Sequence, residues 1–144
     1  MNTKLEYLVT TISNLLQEPE VDSKLRELGS IYGHCAVACE VLYIRTQFDK
    51  SLPQLRVQKI KPFPEFQNEF PPHFRMYDTK TQTIYDPTKY QFADIDFERI
   101  YDVENAQFYG FNSFRRHDPP YFTNRNATLF FIHLLQELNV IPRN

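Results

Sequence analysis

The stretch Gly33-His-Cys-Ala-Val-Ala-Cys-Glu-Val-Leu-Tyr-Ile-Arg-Thr-Gln-Phe48 sets the plan of the chain. Between Ala36 and Ile44 it holds a single charged residue, Glu40, with small or apolar side chains on every face. That is the make-up of a helix buried nearly all round rather than of one lying on a surface. The two cysteines of the 144-residue chain, Cys35 and Cys39, lie four residues apart in it and therefore on one face. Cys35 falls in the first turn, just past Gly33. Unpaired amide N–H groups and the positive end of the helix dipole favour a thiolate there and can hold an oxyanion. Cys35 is thus placed as a nucleophile, whereas Cys39, deeper in the Ala/Val run, reads as a small core hydrophobe.

Working outward, Leu5, Leu8, Ile12, Leu15 and Leu16 recur at three- and four-residue intervals and predict a first helix from about Thr3 to Gln17, halted by Pro19. A short second helix follows, N-capped by Asp22 or Ser23, with Leu25 and Leu28 inward and Gly29 as its stop. Downstream, Leu55 to Ile60 reads as a strand, and Pro53, Pro62, Pro64, Pro71 and Pro72 make a proline-rich loop of its surroundings. The aromatic residues there, Phe63, Phe66 and Phe70 with Phe74 and Tyr77 beyond, fit either a loop pinned to the core or a groove for an extended peptide. Past Phe92, the acidic stretch from Asp94 to Val103 fits a short helix or a strand, and Gln107 to Arg116 fits a strand broken by Pro119 and Pro120. The last helix begins near Asn124 or Asn126 and runs to about Leu138, burying Leu129, Phe130, Ile132, Leu134 and Leu135. Asn126-Ala-Thr128 matches a glycosylation pattern but serves as a helix cap in this reading.

Between these parts, His73 to Phe92 reads as a β-hairpin with arms His73 to Asp78 and Thr83 to Thr88 and a turn at Thr79 to Gln82. Centring the loop on Lys80 and Thr81 pairs residues whose numbers sum to 161, so that 73 faces 88 and 75 faces 86. In that register His73 and Asp86 are diagonal neighbours on one face, within side-chain reach. A slip of one residue would put them on opposite faces.

A cysteine at a helix start, then a histidine heading one strand and an aspartate in the next, is the order of papain-like cysteine enzymes, and the chemistry accounts for each residue type. The Cys35 thiol needs a base or an imidazolium partner, here His73, and the imidazole needs an acceptor to fix its tautomer, here Asp86. Gly33-His34-Cys35 with its Ala/Val helix, then His73-Phe74 with Asp78, then Tyr85-Asp86-Pro87-Thr88-Lys89-Tyr90-Gln91-Phe92, resembles the bacterial YunG family. Members of that family show a Gly-Gln-Cys helix start, a His-Phe hairpin and an Asp-x-Thr-x-x-Gln-Phe tail. The resemblance covers about Gly33 to Phe92 and implies a papain-like fold with Cys35, His73 and Asp86 in triad-like positions; it implies no substrate. His34 stands where the family pattern has glutamine, so an oxyanion would be held either by the His34 ring N–H or by the Cys35 amide alone. Thr88 and Gln91 fit support of the loop, a lining for the cleft, or strand-end hydrogen bonding.

The expected fold is α+β: a buried central helix on a small antiparallel sheet with flanking helices, in one domain spanning 1–144. Two functions fit it. One is a cysteine-dependent hydrolase or acyl transferase acting through an acyl-enzyme on a protein or peptide-like amide, of peptidase, amidase, deamidase or transglutaminase-like outcome. The other is a papain-like binding or inhibitory module without catalysis. Neither needs a cofactor. A zinc site from Cys35, Cys39, His34 and His73 lacks the second close-spaced ligand pair of structural zinc sites. His117-Asp118 reads as surface, and His133, inside an apolar helix stripe, as a packed core histidine. A formal net charge of -2 and a pI near 6.1 offer no electrostatic footprint for nucleic acid or anionic lipid. The N-terminal twenty residues carry Lys4, Glu6 and Glu18 in an amphipathic pattern, so a cytoplasmic, membrane-free protein is expected.

Overall fold

The computed structural model of the chain describes residues 2–31, 33–109 and 125–143. Helix α1, Thr3–Leu16, starts where the Asn2 side chain accepts from the Leu5 amide at 2.9 Å, and it buries Leu5, Leu8, Ile12 and Leu16 along one stripe. Pro19 does more than halt it. Helix α2 is Pro19–Glu27, with the proline in its first turn. A first-turn amide has no partner within the helix, so a residue without N–H is tolerated there and its fixed φ is already helical. Asp22 and Ser23, expected as caps, lie inside α2 instead. Gly29 ends this region with φ +106, a left-handed conformation that glycine adopts without strain.

Helix α3, Cys35–Phe48, is the central one: Val37, Ala38, Cys39, Val41, Leu42 and Tyr43 are buried on successive positions around its axis. Strands β1 (Arg56–Ile60), β2 (His73–Asp78), β3 (Thr83–Tyr85) and β4 (Gln107–Tyr109) form an antiparallel sheet in the order β3-β2-β1-β4. The hairpin ladder pairs Met76 with Tyr85, Tyr77 with Ile84 and Asp78 with Thr83. Those pairs hold the register that sums to 161, although the second arm leaves the ladder at Tyr85, short of Thr88. The acidic stretch resolves as a single helical turn, α4, Phe97–Ile100, and 3-10 turns occupy Pro64–Phe66 and Lys89–Phe92. Of the strand expected over Gln107 to Arg116, the part beyond Tyr109 lies outside the described residues, as does His117-Asp118.

Helix α5, Arg125–Glu137, packs on α3. Its buried residues are Ala127, Thr128, Phe131 and Leu135, whereas Leu129 is 43 % exposed and His133 is exposed. The expected inward set therefore changes: Leu129 and His133 face outward because the stripe that meets α3 runs through positions 127, 131 and 135, four residues apart.

Alternation along the strands divides the interior in two. Val57 and Met76 join α1, α2, α3 and α5 in the main core, while Ile60, on the other face of β1, joins Ile100 and Tyr101 in a second cluster edged by Phe66, Phe70, Phe92 and Phe97. The start of α3 and the start of β2 come together at the junction of these two cores.

Candidate functional site

Cys35 is the first residue of α3, entered through Gly33 at φ +88 and His34 at φ -117, ψ 22. The chain reverses on those two residues, so the sulfur sits at the helix's amino end with 9 % of the residue exposed. The residue is nearly buried, and it lines the cavities at this helix start. Its neighbour Cys39, one turn on, is fully buried, and burial pushes its thiol well above the usual value, which keeps it a neutral packing group.

His73 opens β2 and is 1 % exposed. Its Nε2 lies 2.8 Å from Asp86 Oδ2. A carboxylate only accepts, so Nε2 carries the proton and the Nδ1 side of the ring is left for the second neighbour, Cys35, which acts on the imidazole together with Asp86. The rings of Phe92, Phe97 and Tyr101 meet His73 edge-on with centroids 4.7, 5.6 and 6.2 Å away and restrict its rotation. Burial pulls the imidazolium's pKa down, but the hydrogen bonds and charges of Asp86 and Cys35 outweigh it and move it from 6.5 up to about 9. Asp86 is itself held: its Oδ1 accepts from the Thr88 amide at 3.2 Å, in the turn that Pro87 and Thr88 make after β3. One carboxylate oxygen thus faces the backbone and the other the imidazole.

The supporting residues divide. His34 is buried, but its Nε2 bonds Asp22 Oδ1 at 2.7 Å and its Nδ1 meets Ser30 Oγ at 2.8 Å, so both ring nitrogens are engaged away from the cleft. The ring N–H expected to serve an oxyanion is therefore not free to do so. The same bond holds the Asp22 carboxyl below its usual value. Thr88 is fully buried and contributes its backbone N–H to Asp86, while its Oγ1 has no partner among the described residues. Gln91, in the 3-10 turn after it, lines the same cavity as Cys35 and His73.

Two cavities of about 230 Å³ each open on Cys35 and share Pro71 and Pro72 as a common wall. One runs toward Ile31, Ala36, Val37 and Phe74, the other toward Phe70, Gln91, Phe92 and Tyr101. Sequence reasoning missed Ile31, Pro71 and Pro72 as cleft residues, because nothing in a short connecting turn or a proline-rich loop says which side of a fold it will line. The Asp22-His34-Ser30 network was equally hidden, since it joins a helix to a loop across twelve positions.

No protein-family model, no curated protein and no solved structure matches the chain, so the chemistry of this cleft rests on its own geometry.

Proposed function

We propose that the protein is a thiol enzyme of papain-like architecture that acts on a peptide-like amide or acyl bond through an acyl-enzyme on Cys35. The observation that carries this reading is the 2.8 Å bond from His73 Nε2 to Asp86 in a cavity that His73 shares with Cys35, on an imidazole whose pKa these neighbours raise to about 9. With that proton affinity the ring is an imidazolium at neutral pH, the partner that favours a thiolate and the acid that a leaving amine needs.

In the forward step the Cys35 thiolate attacks the carbonyl carbon. The sulfur–carbon bond forms as the carbonyl π pair moves onto oxygen, which the amides of the first turn of α3 are placed to meet. Collapse of this adduct expels the amine, which takes the proton from His73 Nδ1 and leaves the thioester. Water, or an acceptor amine, then attacks the thioester while His73 removes its proton, and the released sulfur regains the imidazolium as partner. Asp86 keeps Nε2 protonated and the ring in plane throughout. Hydrolysis, deamidation and acyl transfer share these steps and differ in the leaving group and in which acceptor reaches the thioester.

The test is the rate of alkylation by iodoacetamide. The wild-type protein should label at Cys35 at pH 5.5 to 6 at least about tenfold faster than a free thiol, which is scarcely ionised there. His73→Ala should reduce the rate to that of an unassisted thiol, and Cys35→Ser should abolish the label because Cys39 is fully buried. A rate that follows a free thiol's pH profile and ignores His73→Ala would overturn the enzyme reading in favour of a binding module.

A further inference from the structure

The cavity that holds the Cys35 and His73 side chains is lined by few groups able to donate a hydrogen bond. Phe70, Pro71, Pro72, Phe92 and Ile95 have no side-chain donor, and the Tyr101 hydroxyl donates to the Pro71 carbonyl at 2.8 Å. His73 is engaged by Asp86 and Cys35. Across the helix start, both His34 ring nitrogens are turned away to Asp22 and Ser30. That leaves the side-chain amide of Gln91, exposed at the cleft, with no side-chain hydrogen bond engaging it among the described residues.

Gln91 also lies beside the backbone that leads into Cys35. A Cβ at Gly33 would fall 1.9 Å from Gln91 Nε2, so the amide lies directly on the Gly33 backbone, two residues before the nucleophile. Only glycine leaves that seat open, and Gly33's φ of +88 is a conformation that side-chain-bearing residues rarely adopt. Gln91 and the acid ride on one turn: the Thr88 backbone N–H donates to Asp86 Oδ1, and the Gln91 backbone N–H donates to the Thr88 carbonyl at 3.0 Å. The segment that orients His73 therefore also delivers Gln91 to the cleft.

We propose that Gln91 is a catalytic residue, its side-chain amide donating to the oxyanion that forms on Cys35 attack, delivered from across the cleft and seated on Gly33. The proposal rests on the thiol-enzyme reading above and adds a side-chain donor to the helix amides named there. It predicts a division of labour that two probes can separate. A peptide aldehyde, acetyl-leucyl-leucinal, adds to the sulfur: the carbon–sulfur bond forms as the carbonyl π pair moves to oxygen, giving a hemithioacetal with an oxyanion-like oxygen in the hole. Iodoacetamide instead loses iodide from its methylene carbon and leaves its carbonyl untouched.

Gln91→Ala and Gln91→Glu should each weaken the aldehyde by about 10- to 100-fold while iodoacetamide alkylation stays within about threefold of wild type. Gly33→Ala, which would displace the amide from its seat, should show the same split. Unchanged aldehyde affinity in both Gln91 variants, with alkylation still dependent on His73, would overturn the role of Gln91 and leave the thiol-enzyme reading standing. Equal losses with both probes would make Gln91 a structural residue and overturn the proposal as well. A wild-type protein that neither binds the aldehyde nor alkylates faster than a free thiol would overturn both.

Discussion

His73 has two partners whose effects on its protonation oppose that of its burial, and the balance has a measurable consequence. Its pKa in the folded chain is about 9 against an ordinary 6.5, so the folded state holds a proton that the unfolded state releases over that interval. The linkage then runs one way: the stabilisation is fully present below about pH 6.5 and is lost as pH rises through about 9. The urea midpoint should fall between those pH values in the wild type, and Asp86→Asn, which removes the charge and leaves a neutral acceptor, should flatten that fall. Identical slopes in the two proteins would mean that Asp86 does not hold the proton on the ring. Residue types are what a sequence declares most openly, and the meeting of His73 with Asp86 was legible because a hairpin of that register folds them together. The direction of a side chain is another matter. His34 stands beside the nucleophile in sequence, yet its ring answers to Asp22, a residue whose place inside α2 was obscured by reading Pro19 as a stop.

At the scale of elements, the hairpin was legible down to its register because one turn length fixes every pair on both arms, and a shift of one would have turned Met76 and Tyr85 out of the core. Helix α5 was legible only in extent. Leu129, Phe130, Phe131, Ile132, Leu134 and Leu135 are apolar on every side of it, so no periodicity singles out the face that meets α3. The structure does, and the two faces should differ sharply when truncated. Phe131→Ala removes a fully buried ring and should cost about 3–5 kcal/mol. Leu129→Ala, on the outward face, should stay within about 0.5 kcal/mol. Chemical denaturation of both variants measures the difference, and a costly Leu129→Ala would show that this face is covered. The limits of β3 were unreadable for a related reason: Asp86 leaves the ladder to bond the Thr88 amide, a side-chain choice that competes with strand pairing and leaves no periodic trace.

At the scale of the whole molecule, the cleft exists because a single sheet serves two cores, and the start of α3 meets the start of β2 where those cores adjoin. The two cavities on either side of Cys35 inherit their character from this placement. Their walls are Ile31, Val37, Phe74 and the shared prolines on one side, and Phe70, Phe92 and Tyr101 on the other, with no carboxylate, lysine or arginine in either among the described residues. A group carrying a charge into such a wall loses hydration and finds only the His73 imidazole, whose charge Asp86 already answers, a cost of the kind that excludes charged side chains from apolar sites. Peptidyl electrophiles with leucine or phenylalanine next to the reactive carbonyl should therefore inactivate Cys35 faster than the same compounds with glutamate or lysine there. Ile31 offers a way to test the cause, since it is 52 % exposed at the rim of one cavity and can be replaced without opening the core. Ile31→Lys places a cation there that a glutamate-bearing electrophile can reach. At a partly exposed site the pair is worth up to about 1 kcal/mol, so the rate for that compound relative to its lysine counterpart should rise about fivefold, and the rise should shrink in high salt. Relative rates that ignore both the electrophile's charge and the substitution would place the bound chain outside these two cavities.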